Sequence, residues 1–280
     1  MRQSVNSASS FESPSIAPQK RTRSQWKVFA HKEFIENIRT KRLLVMLCVF
    51  VILAIMGVLM ARFVGEILAA LMSAEGGAPF VIEVPPPVWT DSYAQLYSSL
   101  TEMGIIALIM LYMGAILREK RSGTIDLVMA KGLSATAFVM SKFVVAAAII
   151  LLALFTAVLM AFGYTFVLFE YAGNIGNVLL GAVTFGVYLL MMLAITFLWS
   201  AIANSTAIAA VLGLGSFFVI SLLNFIPVVG RFMPAGIVSY SVALSVGGGQ
   251  ERLIMQLVTA VVVSVICLLV AVQVLKKREG

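Results

Sequence analysis

From Val178 to Pro227 the chain runs for 50 residues without one charged side chain. As a single helix this stretch would be about 75 Å long, more than twice the roughly 30 Å hydrocarbon thickness of a bilayer. Two membrane-crossing helices must therefore share it, and the polar break Asn204-Ser205-Thr206 marks the turn between them. The composition agrees: 61% of the 280 residues are hydrophobic and 12% charged, against about 45–50% and about 25% in a soluble domain. A water-soluble globule has no way to hide that much apolar surface, so the bilayer is the main solvent.

The other long apolar runs complete an all-α integral membrane fold of six transmembrane helices, at about 43–61, 97–117, 143–166, 178–202, 207–227 and 253–275. They fall within a transmembrane domain over 41–278, with both the N and C termini expected in the cytoplasm. Residues 1–24 are rich in Ser, Pro, Gln and Arg and read as a flexible cytoplasmic tail. Over 25–40, Trp26, Phe29, Ala30, Phe34 and Ile38 recur at helical spacing between charged positions, which predicts an amphipathic helix lying in the interface, with an ordinary charged lead-in to the first span as the alternative. Glu33 and Asn37 interrupt its apolar arc. Between the first two spans, Arg62 to Leu96 is expected outside, because it holds one basic and four acidic residues and Pro85-Pro86-Pro87 stops any helix. The run Ile237 to Val246 is too short to span and suits a re-entrant or interfacial segment.

Charge placement gives the orientation. Nine Lys and Arg residues precede the first span, five lie between the second and third, and three close the chain, whereas Arg62, Arg231 and Arg252 fall on the other side. Inverting the topology would reverse this bias. The formal charge of +7 is thereby explained by membrane anchoring, and no nucleic-acid partner is expected. Cys48 and Cys267 sit inside apolar runs and suggest neither a disulfide framework nor a metal site. His31 has no His, Cys or Asp partners at ligand spacing, and no metal or catalytic residue is assigned.

The first cytoplasmic loop, 118–134, carries the most informative motif. It reads Arg118-Glu119-Lys120-Arg121-Ser122-Gly123-Thr124-Ile125-Asp126-Leu127-Val128-Met129-Ala130-Lys131-Gly132-Leu133-Ser134. Thr124 can cap a helix of about two turns, with Asp126 in its first turn, Lys131 closing it and Gly132 after it. Ile125, Val128 and Met129 share one face. Ser134 can cap the helix that continues through Lys142 into the third span. On spacing alone, a docking helix and a basic loop packed on its own spans remain equal alternatives.

The succession of an interfacial segment with Lys32-Glu33-Phe34, an apolar first span, Arg-Glu-Lys-x-x-Gly-Thr-Ile-Asp, Ala-Lys-Gly-x-Ser and Lys142-Phe143 resembles the ABC-2 type transporter permeases, from Gln25 to Lys277. The departure from the commonest pattern is Gly132, where many members have proline. The resemblance implies the membrane subunit of an ATP-driven exporter in the cell membrane, paired with a second permease subunit, identical or homologous. It implies that the loop around Glu119, Gly123, Thr124, Ile125, Asp126, Val128, Met129 and Lys131 couples to a separate ATPase subunit, and that Trp26, Lys32, Glu33 and Phe34 belong to the elbow. The chain holds no Gly-x-x-x-x-Gly-Lys-Ser/Thr phosphate loop, so ATP and Mg are expected on the partner and no cofactor on this chain.

Within the spans, Glu102 lies about 24 Å of helix from Arg118, near the outer interface on this reading. It reads either as a pathway carboxylate or as a snorkelling interfacial acid. Ser98 beside it and Asn224 at the end of the fifth span are the other candidate pathway residues. A polytopic membrane enzyme is disfavoured because the aspartates, Asp91 and Asp126, fall on opposite sides. A secondary transporter would favour broken helices in related halves and midplane charges.

Overall fold

The computed structural model describes residues 32–37, 39–74, 86–125, 134–248 and 253–277. Among them every regular element is helical. Six stretches are long and apolar enough to cross a membrane: Arg42–Leu68, Trp89–Arg121, Ala135–Phe169, Ile175–Ile202, Thr206–Leu223 and Leu253–Lys276. The protein is thus an all-α, six-span membrane protein. In chain order the helices are α1 (Arg42–Ala74), α2 (Trp89–Ser99), α3 (Ile105–Tyr112), α4 (Leu117–Arg121), α5 (Ala135–Phe169), α6 (Ile175–Ile202), α7 (Thr206–Leu223), α8 (Pro227–Gly230), α9 (Ile237–Ser245) and α10 (Leu253–Lys276). Residues 32–37 form a further helical stretch before α1.

Helix α6 is the centre of the bundle, packing against α10, α9, α5, α7 and α3. Its Phe185, Tyr188, Leu189, Met192 and Phe197 are buried, whereas much of α7 and α10 stays exposed. In hydrocarbon an exposed Leu or Val loses nothing by facing a lipid tail, so close packing rather than hydrophobicity selects the inner faces. Gly181 shows this directly. A Cβ there would collide with Ser245 Oγ, so only glycine lets α9 lie against α6. Tyr97 of α2 shares a hydrogen bond of 3.2 Å with Ser245 from the other side. The segment expected to be re-entrant or interfacial is therefore a helix of nine residues seated on α2 and α6, preceded by a tight turn at Pro234–Gly236.

Several helix ends differ from the sequence expectation. Helix α1 does not stop at Ala61 but continues to Ala74, because residues 62–74 contain no proline and a single glycine, Gly65, is tolerated within a helix; the Arg62 guanidinium lies over the Phe63 ring at 5.5 Å. The second span begins at Trp89 rather than Tyr97. Helix restarts as soon as the prolines end, with Asp91 accepting the Val88 N–H at 3.2 Å. Trp89 meets Tyr171 edge-on with 5.2 Å between ring centroids, and Tyr93 donates to the Ala172 carbonyl at 2.7 Å. This aromatic cluster ties the start of α2 to the α5–α6 turn. The fifth span ends at Leu223, and Pro227 opens the short α8 instead of ending α7.

The second span is also not one continuous α-helix. Leu100–Gly104 forms a π-helical turn between α2 and α3, and residues 113–116 break the helix again before α4. At that break Ser200 of α6 accepts hydrogen bonds from the Ile116 and Leu117 N–H groups at 3.0 and 3.2 Å. Residue 200 is fully buried, so no water competes. Ser200→Ala should therefore destabilise the protein by about 1–3 kcal/mol, the typical cost of orphaned buried donors. Thermal unfolding in detergent checks this, and an unchanged melting temperature would show that another group satisfies the break.

Candidate functional site at the basic end of the bundle

The end of the bundle that carries the Arg118–Arg121 cluster collects four separate segments. Helix α4 sits beside the C-terminus of α6: Lys120 Nζ donates to the Ala201 and Ala203 carbonyls at 3.2 and 3.4 Å, and Arg121 Nη2 to that of Asn204 at 2.7 Å. The last carbonyls of a helix have no intrahelical partner and carry partial negative charge, so cations there satisfy both needs. These bonds place the uncharged turn between α6 and α7 on the same side as the basic loop, a placement that the sequence reached by counting spans. Within the turn Ser205 Oγ accepts from the Ile208 N–H at 3.1 Å, capping α7.

Helix α5 begins beside α4. Ser134 caps it, its Oγ accepting from the Ala137 N–H at 3.2 Å. Two turns on, Lys142 is buried with its ammonium 2.8 Å from Glu33 Oε2 and 2.7 Å from Glu119 Oε1, and 5.4 Å from the centre of the Phe138 ring. One lysine of the third span thus bonds the elbow segment to the loop after the second span. Glu33 and Asn37 are buried at 3% and 5% exposure, whereas Phe34 and Ile35 are each 42% exposed. Glu33 and Asn37, which interrupt the expected apolar arc, thus face the protein, where α5 offers an ammonium, while Phe34 of the arc faces outward; Trp26, Phe29, Ala30 and Ile38 lie outside the described residues.

Two carboxylates meet one ammonium in this cluster. Burial pushes the Glu33 carboxyl above its ordinary value; Lys142 pulls it down, and Glu119 and Glu36 push it further up. Oxygens Glu33 Oε1 and Glu119 Oε2 are buried without a hydrogen-bond partner. One carboxylate oxygen from each of Glu33, Glu36 and Glu119 lies within 4.8 Å of the others, and the Lys142 ammonium supplies the cation among them.

Of the residues singled out in the loop, Glu119 enters this cluster. Gly123 takes a positive φ of 68°, which turns the chain away from α4 at a position where glycine carries no penalty. Ser122 and Thr124 share a hydrogen bond of 2.7 Å between hydroxyls, and Ile125 is buried at 6% exposure. Asp126, Val128, Met129 and Lys131 lie outside the described residues, as does Trp26 of the elbow. Lys32 is exposed. The residue whose central role the sequence did not reveal is Lys142. The signals were its place eight residues into an otherwise uncharged helix and the acid at 33 that broke the elbow's apolar arc.

Of the candidate pathway residues, Ser98 and Glu102 are brought together. Glu102 is exposed on the π-helical turn and accepts from Ser98 Oγ at 3.2 Å. The helix starts at Trp89, so Glu102 lies about 20 Å of helix from that end. Asn224 ends α7 and, among the described residues, forms no hydrogen bond with Ser98 or Glu102.

Removing the ammonium while keeping the apolar stem should expose the energetics of the cluster. Lys142→Met leaves two buried carboxylates unpaired, so stability should fall by about 3–5 kcal/mol, as thermal unfolding would record. A loss below about 1 kcal/mol would show that the carboxylates turn outward or are neutral without it.

A comparison with curated proteins found no match. The family model described as ABC-2 family transporter protein matches residues 28–235, from the elbow segment through the fifth span to the turn that precedes α9. With about three quarters of its length in that match, and with six apolar helices carrying no strand among the described residues, the chain belongs to the ABC-2 family of transporter proteins.

Proposed function

We propose that the chain is the membrane subunit of an ATP-driven exporter, docking a separate ATPase through the loop after its second span and lining a pathway with a second permease subunit. The observation that carries this reading is the Lys142 ion cluster, which bonds the elbow segment, the end of the second span and the start of the third into one body. A displacement applied to the loop at Ser122–Ile125 is then delivered to two spans and the elbow together. A loop that served only as an anchor would need no such cross-bracing. The 280 residues contain no phosphate-binding Gly-x-x-x-x-Gly-Lys-Ser/Thr segment, which fits hydrolysis on a partner.

The basic end is the cytoplasmic side on this reading, with the cell membrane as location. Support comes from the concentration of Lys and Arg in the tail, the first loop and the C-terminus. Glu102 belongs to the pathway: an ionisable residue in a span and on an exposed face is costly against lipid, and a facing subunit would cover it. The π-helical turn that presents it is a distortion often found where a helix serves function.

Two measurements test the proposal. Replacing Val128 and Met129 together by Asp, while leaving Ile125 in its place in this chain's own core, should keep the permease in the membrane but abolish co-purification of the ATPase, because charge in a dry docking groove costs about 2–7 kcal/mol. Normal co-purification and normal transport would defeat the docking assignment. For orientation, single cysteines at Ser122 and Ser205 in a cysteine-free background should resist an impermeant thiol reagent in intact cells, while one at Ala78 reacts. Labelling at Ser205 from outside would overturn the sidedness.

A further inference from the structure

The second span carries polar side chains along a face that the rest of the bundle leaves uncovered. Asp91, Gln95, Ser98 and Glu102 recur at spacings of four, three and four residues, which puts them in one stripe along the helix. Asp91, Gln95 and Glu102 are exposed and Ser98 is half-buried. The same turns bury Tyr93, Leu96, Tyr97 and Leu100 on the opposite face. Beyond Glu102, towards the basic end, the exposed positions are apolar, with Met103 at 58% and Met110 at 49% exposure. The uncovered face thus changes from polar to apolar at Glu102.

Packing against α1 sets the depth of this change. Helix α1 is uncharged from residue 43 to residue 61, about 28 Å of helix between Arg42 and Arg62, which matches the hydrocarbon thickness. Two glycines fix the register of the antiparallel second span against it. A Cβ on Gly57 would stand 3.2 Å from the Leu96 nitrogen, and one on Gly104 would stand 3.3 Å from the Phe50 ring. Asp91 therefore lies level with Arg62, and Glu102 lies level with the turn after Phe50, close to midway between the two arginines. A carboxylate at that depth is costly against lipid, and the polar stripe leads water to it from one side of the membrane only.

The charge along this stripe is of one sign. Asp91 accepts the Val88 N–H and Glu102 the Ser98 hydroxyl, and neither forms an ion pair among the described residues. Arg62, at the level of Asp91, lies over the Phe63 ring. The two carboxylates are eleven residues apart, about 16 Å along the helix, too far to hold one ion together. Glu102 thus offers a single negative charge, with a hydroxyl on one side and methionine on the other. That combination suits one positive charge on an apolar body, because methionine adapts its shape to what it touches. It lacks the several oxygen ligands that a divalent metal takes.

We infer that the outer half of the second span lines a water-filled vestibule and that Glu102, at its floor, binds a lipophilic organic monocation as cargo. The apolar body rests towards Met103, and the released cation leaves past Ser98, Gln95 and Asp91. This inference rests on the assignment of Glu102 to the pathway and adds the class of cargo to it.

Two measurements on the purified permease in lipid nanodiscs separate the vestibule from the cation. In a cysteine-free background, Gln95→Cys and Ser98→Cys should react with a charged, impermeant thiol reagent, while Val258→Cys and Val261→Cys on the exposed face of α10 should not. Tetraphenylphosphonium should bind and slow the reaction of Ser98→Cys, whereas tetraphenylborate, of the same shape and opposite charge, should do neither. Glu102→Gln should weaken phosphonium binding by about tenfold or more, and Glu102→Asp, which keeps the charge, should retain most of it. The protection of Ser98→Cys is read with Glu102 in place, so it decides the matter even where a Glu102 variant fails to fold. Labelling of the stripe with no protection by the phosphonium, or with binding that Glu102→Gln leaves unchanged, would overturn the cation and leave the pathway standing. Failure of Gln95→Cys and Ser98→Cys to label would overturn both, and would show that lipid or a second subunit seals the stripe.

Discussion

Hydrocarbon offers no hydrogen bonds, so every backbone group within a bilayer must find its partner inside the protein. An unbroken helix meets this demand by itself. The second span is interrupted twice, and each interruption shows how the remainder is met. At Leu100–Gly104 the ladder shifts to π spacing, and Thr101 Oγ1 donates back to the Tyr97 carbonyl at 2.6 Å. At residues 113–116 the released N–H groups reach Ser200 on the neighbouring helix. Irregular backbone is thus confined to places where α6 or a local hydroxyl is within reach, which explains why α6 occupies the centre.

The same solvent gives the Lys142 cluster its character. In water an exposed ion pair contributes little, about 0–1 kcal/mol, and adapts to many geometries. Buried, its members tolerate few arrangements, because each carboxylate left without the ammonium bears the full cost of its charge. Such a cluster adds little net stability over an apolar replacement, but it specifies which segments meet. Here it selects one placement of the elbow against the second and third spans. Asn37, whose side chain donates to the Glu33 carbonyl at 2.9 Å, stiffens the segment that presents the acid.

Much of the architecture was legible because its signals are long. Fifty uncharged residues broken by Asn204-Ser205-Thr206 gave two spans and their turn, which lies between Ile202 and Thr206. Helix ends were less legible, because hydropathy falls before helical structure does: Arg62 and Glu66 continue α1, and Asp91 opens α2 as its first-turn acid. The cluster was half visible. Glu33 and Asn37 stood out as flaws in an apolar arc, yet a single sequence cannot show that a lysine 109 residues away lies opposite. Ser200 was invisible, since a serine in a span is most often a packing residue and the break that it serves has no sequence signature of its own.

The turn between α6 and α7 has no lysine or arginine, and the cations against its carbonyls come from α4, more than 80 residues earlier. Positive charge near a span is what ordinarily tells the insertion machinery which side to keep. For this helical hairpin that instruction is absent locally, so during synthesis α6 and α7 enter the bilayer with their sidedness inherited from preceding spans. Lys120 and Arg121 then act after insertion as a clasp. What fixes this hairpin turn in the finished bundle is accordingly the first loop, and not any charge of its own.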